Sequence, residues 1–139
     1  MAVAHYVADT SAITRLKLPT VNQRLGKLIE KGLVASCTLV DLEVLFSTRT
    51  HREYVDVRRE RAGFEQLDIE QVDWDRARDV QAELARTGRT RAVGIQDLLL
   101  AATAERHRVR LLHYDRDFDV IASITGQPTE WIVPPGSVP

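Results

Sequence analysis

Four carboxylates in this sequence lack an evident local partner, and their type and placement suit the holding of a hard divalent cation. Asp9 follows an apolar run at 3–8 (VAHYVA), and Asp115 follows another at 109–113 (VRLLH). Asp97 opens a segment whose next residues, Leu98 to Ala102, are all apolar, which predicts a deeply buried helix. A buried carboxylate without a partner is costly and calls for an arginine or a metal. Glu43 lies in the mostly apolar stretch Leu33–Thr48. On a helix turning ~100° per residue it points roughly 200° away from Asp41. Asp41 itself completes Thr38-x-x-Asp41, which reads as a capping box, so one acid has a local job and the other has none.

Three of the acids, Asp9, Asp97 and Asp115, also have a plain structural reading. A carboxylate at a strand end often caps the next helix, and one in a first helical turn favours the helix dipole. If the four converge, their mutual repulsion raises their pKa values unless a cation sits among them. Oxygen donors without cysteines or clustered histidines suit Mg²⁺ or Mn²⁺ rather than Zn²⁺. A site of that kind can activate water and neutralise charge on a phosphodiester during in-line attack.

The elements that must position these acids alternate along the chain. Strands are expected at 3–8, 33–36, 109–113 and 130–133, with a brief extended segment around Leu67-Asp68-Ile69. Pro19 is read as the end of a first short helix, and Gly32 as the stop of a second. Residues 49–63 form a charged helix, Trp74 to Leu84 an amphipathic one stopping at Gly88, and Phe118–Ile124 a last one ending at Gly126. This order argues for one α/β domain over residues 1–139, a parallel twisted sheet with helices on both faces and a short Pro-rich tail from about 134. In such sheets ligands bind beyond the carboxyl ends of the strands, where strand order reverses, and that is where Asp9 and Asp115 fall.

Composition excludes several classes. Cys37 is the only cysteine, so neither an internal disulfide nor a cysteine zinc site is available. No apolar run approaches the roughly 20 residues of a membrane span, and the N-terminus lacks a signal peptide's basic region, so a cytoplasmic protein is expected. The net charge is −1, which leaves nucleic-acid contact to local patches. Only Lys17, Lys27 and Lys31 are lysines, the remaining cations being arginines suited to bidentate phosphate contacts. Arg86, Arg89 and Arg91 lie just ahead of Asp97 in a loop able to grip an RNA backbone, although solvated loop charge explains them equally well. Arg49, Arg52, Arg58, Arg59 and Arg61, interleaved with acids, read as an exposed helix with internal ion pairs. His5, His51 and His107 read as structural, and Trp74 and Trp131 as packing anchors. No Gly-rich phosphate loop or dinucleotide fingerprint is present.

The segments VADTSAI (7–13), LVDLEVL (39–45), GIQDLLLAATA (94–104), LLHYDRDFDVIA (111–122) and PTEWIVPPGS (128–137) resemble, in order, the motifs of PIN domains. More narrowly they resemble the VapC-type toxins of bacterial type II toxin–antitoxin systems. The resemblance implies a PIN-like three-layer fold and a Mg²⁺-dependent (or Mn²⁺-dependent) endoribonuclease cutting tRNA or rRNA. It implies Asp9, Glu43, Asp97 and Asp115 as catalytic metal-site acids, with Asp9 and Asp97 the principal ligands. Ser11, Asp117 and His113 are implied to support the cluster or meet substrate. A cognate antitoxin and a homodimer are implied as well. His113 departs from the family, which often has Thr two residues before the fourth acid. A non-catalytic binding module of the same fold and a metal-dependent DNA nuclease remain the alternatives.

Overall fold

The computed structural model describes residues 2–139. Its core is a four-stranded, all-parallel sheet of order β2-β1-β3-β4. The strands are β1 (Tyr6–Ala8), β2 (Val34–Ala35), β3 (Arg110–His113) and β4 (Thr129–Trp131). The chain passes from β1 out to β2, then crosses back over β1 to β3 and on to β4, so strand order reverses between β1 and β3. Residues along these strands alternate between two cores. Val7, Ala35 and Leu111 face one apolar layer, while Ala8, Val34 and Leu112 face the other. A parallel sheet covered on both sides must be apolar on both, which is why its strands read as continuous apolar runs.

On one side lie α1 (Thr10–Ile13), α2 (Pro19–Val21), a π-helical stretch at Asn22–Gly26 and α3 (Lys27–Glu30). The other side carries α4 (Thr38–Phe46), α6 (Gln71–Arg86), α7 (Ile95–His107) and α8 (Asp117–Thr125), with the exposed α5 (His51–Arg61) packed on α4. Helix α7 is the central one: Leu98 through Ala104 are all buried, because it is wrapped by α4, α6, α8 and the sheet. Such a helix is apolar around its whole circumference rather than on one stripe. The glycine stops behave as expected at Gly32, Gly88 and Gly126, whose φ values of 70°, 72° and 70° are left-handed conformations that glycine adopts without strain.

Several expectations differ from what is observed. Pro19 begins α2 at its first position, where a missing N–H costs nothing, while α1 has already ended at Ile13. Around residues 66–69 there is no strand. Only a single bridge, Ser36 to Gln66, extends the sheet there. Thr38 is inside α4 rather than its cap, since the N-cap is Cys37 and no side chain caps it. Asp41 is engaged in tertiary contacts instead. Its Oδ1 accepts from Arg61 Nε at 2.9 Å and from Ser36 Oγ at 2.7 Å, and its Oδ2 accepts from Gln66 at 3.1 Å. Arg61 is correspondingly buried, with its guanidinium 4.3 Å from the Phe64 ring centre, and does not belong to an exposed charged face. Trp74 is 47% exposed and anchors little.

Candidate metal centre

Strand β1 brings Asp9 to the place where strand order reverses. Pairing with β3 continues one residue past the strand, as Asp9 N–H donates to Leu112 O at 2.9 Å. The backbone of Asp9 is extended, and Oδ2 accepts from Ser11 N–H at 3.0 Å, so the residue caps α1 while its carboxyl stays at the sheet edge. It is 4% exposed. Burial raises its pKa and the charge of Asp115 adds to the rise, while interactions with Ser11 and Thr10 pull it back. Ser11 ties the two strand ends together, its Oγ accepting from Tyr114 N–H at 2.9 Å.

Helix α7 starts after Gly94, and Asp97 stands in its first turn, held there by the wholly buried segment behind it. Beyond β3 the chain turns so that Asp115 Oδ1 accepts from Asp117 N–H at 2.9 Å. That turn presents two carboxylates at the start of α8. One oxygen from each of Asp97, Asp115 and Asp117 lies within 4.8 Å of the other two. Burial first, then the charges of Asp9 and Asp115 and the contact with Asp117, push Asp97 up to about 8. Asp117 is raised as well, by burial and by Asp115, while its hydrogen bond from Asp97 opposes the rise. Close carboxylates resist ionising together, and both of these are held above the ordinary carboxylate value.

Glu43 arrives from α4, where Thr10 Oγ1 donates to its Oε2 at 3.2 Å. Its pKa is raised by burial and then by the charge of Asp9. The structure thus brings Asp97, Asp115 and Asp117 into one cluster, with Asp9 beside it and Glu43 within reach of Asp9's charge. Five carboxylates from four separate elements meet at one sheet edge. Among the described residues, none of the five forms an ion pair with an arginine, lysine or histidine, although such pairs are plentiful elsewhere.

The remaining candidates are placed differently. His113 is fully buried beneath the cluster, with its pKa lowered by that burial. Arg86, Arg89 and Arg91 are exposed in or beside the loop before Gly94. Arg86 pairs with Glu83 at 2.9 Å, and Arg89 Nε donates to Thr87 Oγ1 at 2.9 Å. Thr10 as the anchor of Glu43 escaped the sequence reading, because the contact spans 33 residues.

A family model, the PIN domain, matches residues 6–124. The chain belongs to the PIN-domain family. Within it, the similarity is to the VapC proteins. Ribonuclease VapC21 of Mycobacterium tuberculosis is 43% identical over 135 residues, covering 95% of this chain and 96% of that protein. Ribonuclease VapC51 of the same organism is 41% identical over 133 residues, covering 96% of each. Among solved structures, a DNA-bound VapBC from Salmonella typhimurium superposes with a TM-score of 0.75 at 21% identity, covering 94% of this chain and all of that one. A toxin–antitoxin complex from Klebsiella pneumoniae gives 0.70 at 20% identity, covering 92% and 98%. At such identities the likeness is one of fold, and this chain has the PIN domain's parallel sheet and flanking helices. No helix among the described residues is long and apolar enough to cross a membrane.

Proposed function

We propose that this PIN domain is the endoribonuclease toxin of a toxin–antitoxin pair, dependent on Mg²⁺ or Mn²⁺ and acting on tRNA or rRNA. The observation that carries the reading is the five-acid edge without a cation of its own among the described residues. Carboxylates forced together at this cost, with Asp97 held near 8, fit a divalent ion. An all-oxygen donor set selects a hard one.

Asp97, Asp115 and Asp117 would hold the ion, with Asp9 completing the set. Once bound, the ion supplies positive charge that offsets charge developing on the phosphodiester and lowers the pKa of water. The protein's own groups do the rest. The Asp115–Asp117 turn and the Asp9 cap fix the acids before substrate arrives, so little reorganisation is needed during reaction. Glu43, with Oε2 held by Thr10, would accept a proton from attacking water. Arg86, Arg89 and Arg91, exposed in or near the loop leading to Asp97, would hold the RNA backbone.

The ribonuclease names of the relatives and the VapBC complexes among the solved structures support both the activity and an antitoxin partner of the VapB kind. Beside Glu43, the side chains of Leu39, Leu42, Phe46 and Gln96 line a hollow, and Phe46 is 92% exposed. An apolar surface of this kind suits a partner segment that covers the site, from which an arginine would enter among the acids. A homodimer of the toxin completes the proposal.

The deciding experiment is cleavage of total bacterial RNA, and of single-stranded DNA, by wild type and Asp9→Asn with Mg²⁺, Mn²⁺ or EDTA. Discrete, metal-dependent RNA fragments lost in the variant are expected. Cleavage of DNA alone, or of nothing by folded protein free of antitoxin, would overturn the reading.

A further inference from the structure

His113 ends β3 two residues before Asp115, and its imidazole is completely buried. The ring lies between aromatic neighbours, 5.1 Å from the Phe118 ring centre and 5.1 Å from that of Trp131. Its Nδ1 accepts a hydrogen bond from Asp115 N–H at 3.1 Å. Accepting at Nδ1 requires the neutral tautomer with the proton on Nε2. That Nε2 has no hydrogen-bond partner among the described residues. A buried N–H without a partner costs on the order of 1–3 kcal/mol, so packing alone favours an apolar residue here. The ring is therefore better explained by what Nδ1 does.

What Nδ1 does is orient the acid turn. The Asp115 N–H it receives belongs to the same residue whose Oδ1 takes the Asp117 N–H at 2.9 Å. The chain of contacts runs from a buried ring in tilted contact with two aromatic neighbours to the Asp115 backbone and then to the carboxylate pair facing Asp97. We infer that His113 is a positioning residue for the metal centre, aiming the Asp115–Asp117 turn through its Nδ1 acceptor and never touching cation or substrate. The inference rests on the reading of this edge as a metal site. Supporting partners of this kind typically change metal affinity by about 10–100-fold when lost.

Three substitutions separate the hydrogen bond from packing. In His113→Asn the amide oxygen falls where Nδ1 was. In His113→Gln it falls nearer Nε2, and His113→Leu keeps bulk without an acceptor. Mn²⁺ affinity, read from the electron paramagnetic resonance of the free ion, is measured for wild type and variants matched for thermal stability. The Asn protein should bind within about threefold of wild type, and the Gln and Leu proteins ~10-fold or more weakly. Equal affinity in all four, or an equal loss in all three variants, would overturn the assignment. Wild-type protein provides an independent check, since long-range ¹H–¹⁵N spectra must show His113 protonated at Nε2. A proton on Nδ1 refutes the hydrogen bond outright. If wild type itself binds no Mn²⁺ and cuts no RNA, the metal-site reading fails, whatever the His113 tautomer.

Discussion

Replacing Asp97 by Asn should stabilise this protein at alkaline pH when no divalent ion is bound. In the unfolded chain Asp97 ionises near 3.8, whereas in the folded chain it is held to about 8. Below the lower value both states are protonated, and the residue's contribution to stability is fully present. As pH climbs towards the upper value the unfolded chain gives up a proton that the folded chain keeps, and stability falls. At about 1.4 kcal/mol for each pH unit the whole interval corresponds to roughly 6 kcal/mol. Asp97 is partly solvated, and protonation of a neighbour relieves the same repulsion, so about a third of that, ~2 kcal/mol, is expected. Asn keeps the shape and a donor towards Asp117 and removes the charge. In EDTA at pH 8 its Tm should exceed that of wild type by ~8 °C, shrinking to about 2 °C at pH 5. Differential scanning calorimetry across that range provides the assay, with saturating Mg²⁺ expected to raise wild type and not the variant. A gain that is the same at both pH values, or a loss at pH 8, would show that the acids are not repelling one another as described.

Three further outcomes follow from the same geometry. Mn²⁺ affinity, followed by titration calorimetry, should increase between about pH 6 and 8 as the raised carboxyls of Asp97 and Asp117 give up protons, and a flat profile would contradict their raised values. Arg61→Ala removes the cation from Asp41 where the two side chains are 9% and 18% exposed. Denaturant unfolding should show a loss of about 3 kcal/mol, and a loss below ~1 would mean the pair is solvated. If an antitoxin arginine occupies the acid cluster, Mg²⁺ at tenfold its own Kd should weaken antitoxin binding about tenfold. Surface plasmon resonance reads this directly, and affinity independent of Mg²⁺ would place the arginine elsewhere.

Much of this arrangement is written locally in the chain. Apolar runs announced β1 and β3 because strands buried on both faces leave no polar alternation to blur them. Asp9 could be found because it directly follows such a run, and Asp115 because it stands two residues beyond one. Asp97 and Glu43 stood out as carboxylates set in apolar segments without neighbours to explain them. What escaped was tertiary. Thr38 and Asp41 have the spacing of a cap, but Arg61, twenty residues away, outcompetes a local backbone N–H for that carboxylate. Asp117 looked peripheral to Asp115, yet the turn between them carries it to Asp97. For His113, sequence exposed a departure from family habit without showing its burial or the atom it uses. Trp74 sits at helical spacing with the core residues of α6, and only the completed packing leaves it half in solvent.

The expense of the site is also its means of control. Asp9 comes from β1's end, Glu43 from α4, Asp97 from α7 and the Asp115–Asp117 pair from the start of α8, so none can retreat from the others without disturbing the core. A flexible cluster would relax apart or take up protons and lose its appetite for a cation. A rigid one stays electrostatically incomplete and accepts whichever positive charge arrives. On the proposed function, a hydrated metal ion would complete it and admit a phosphodiester, whereas a guanidinium from a partner would complete it and exclude one. On that proposal, one fixed set of carboxylates would support both catalysis and its inhibition, and the choice between them would depend on the relative concentrations and affinities of the two cations.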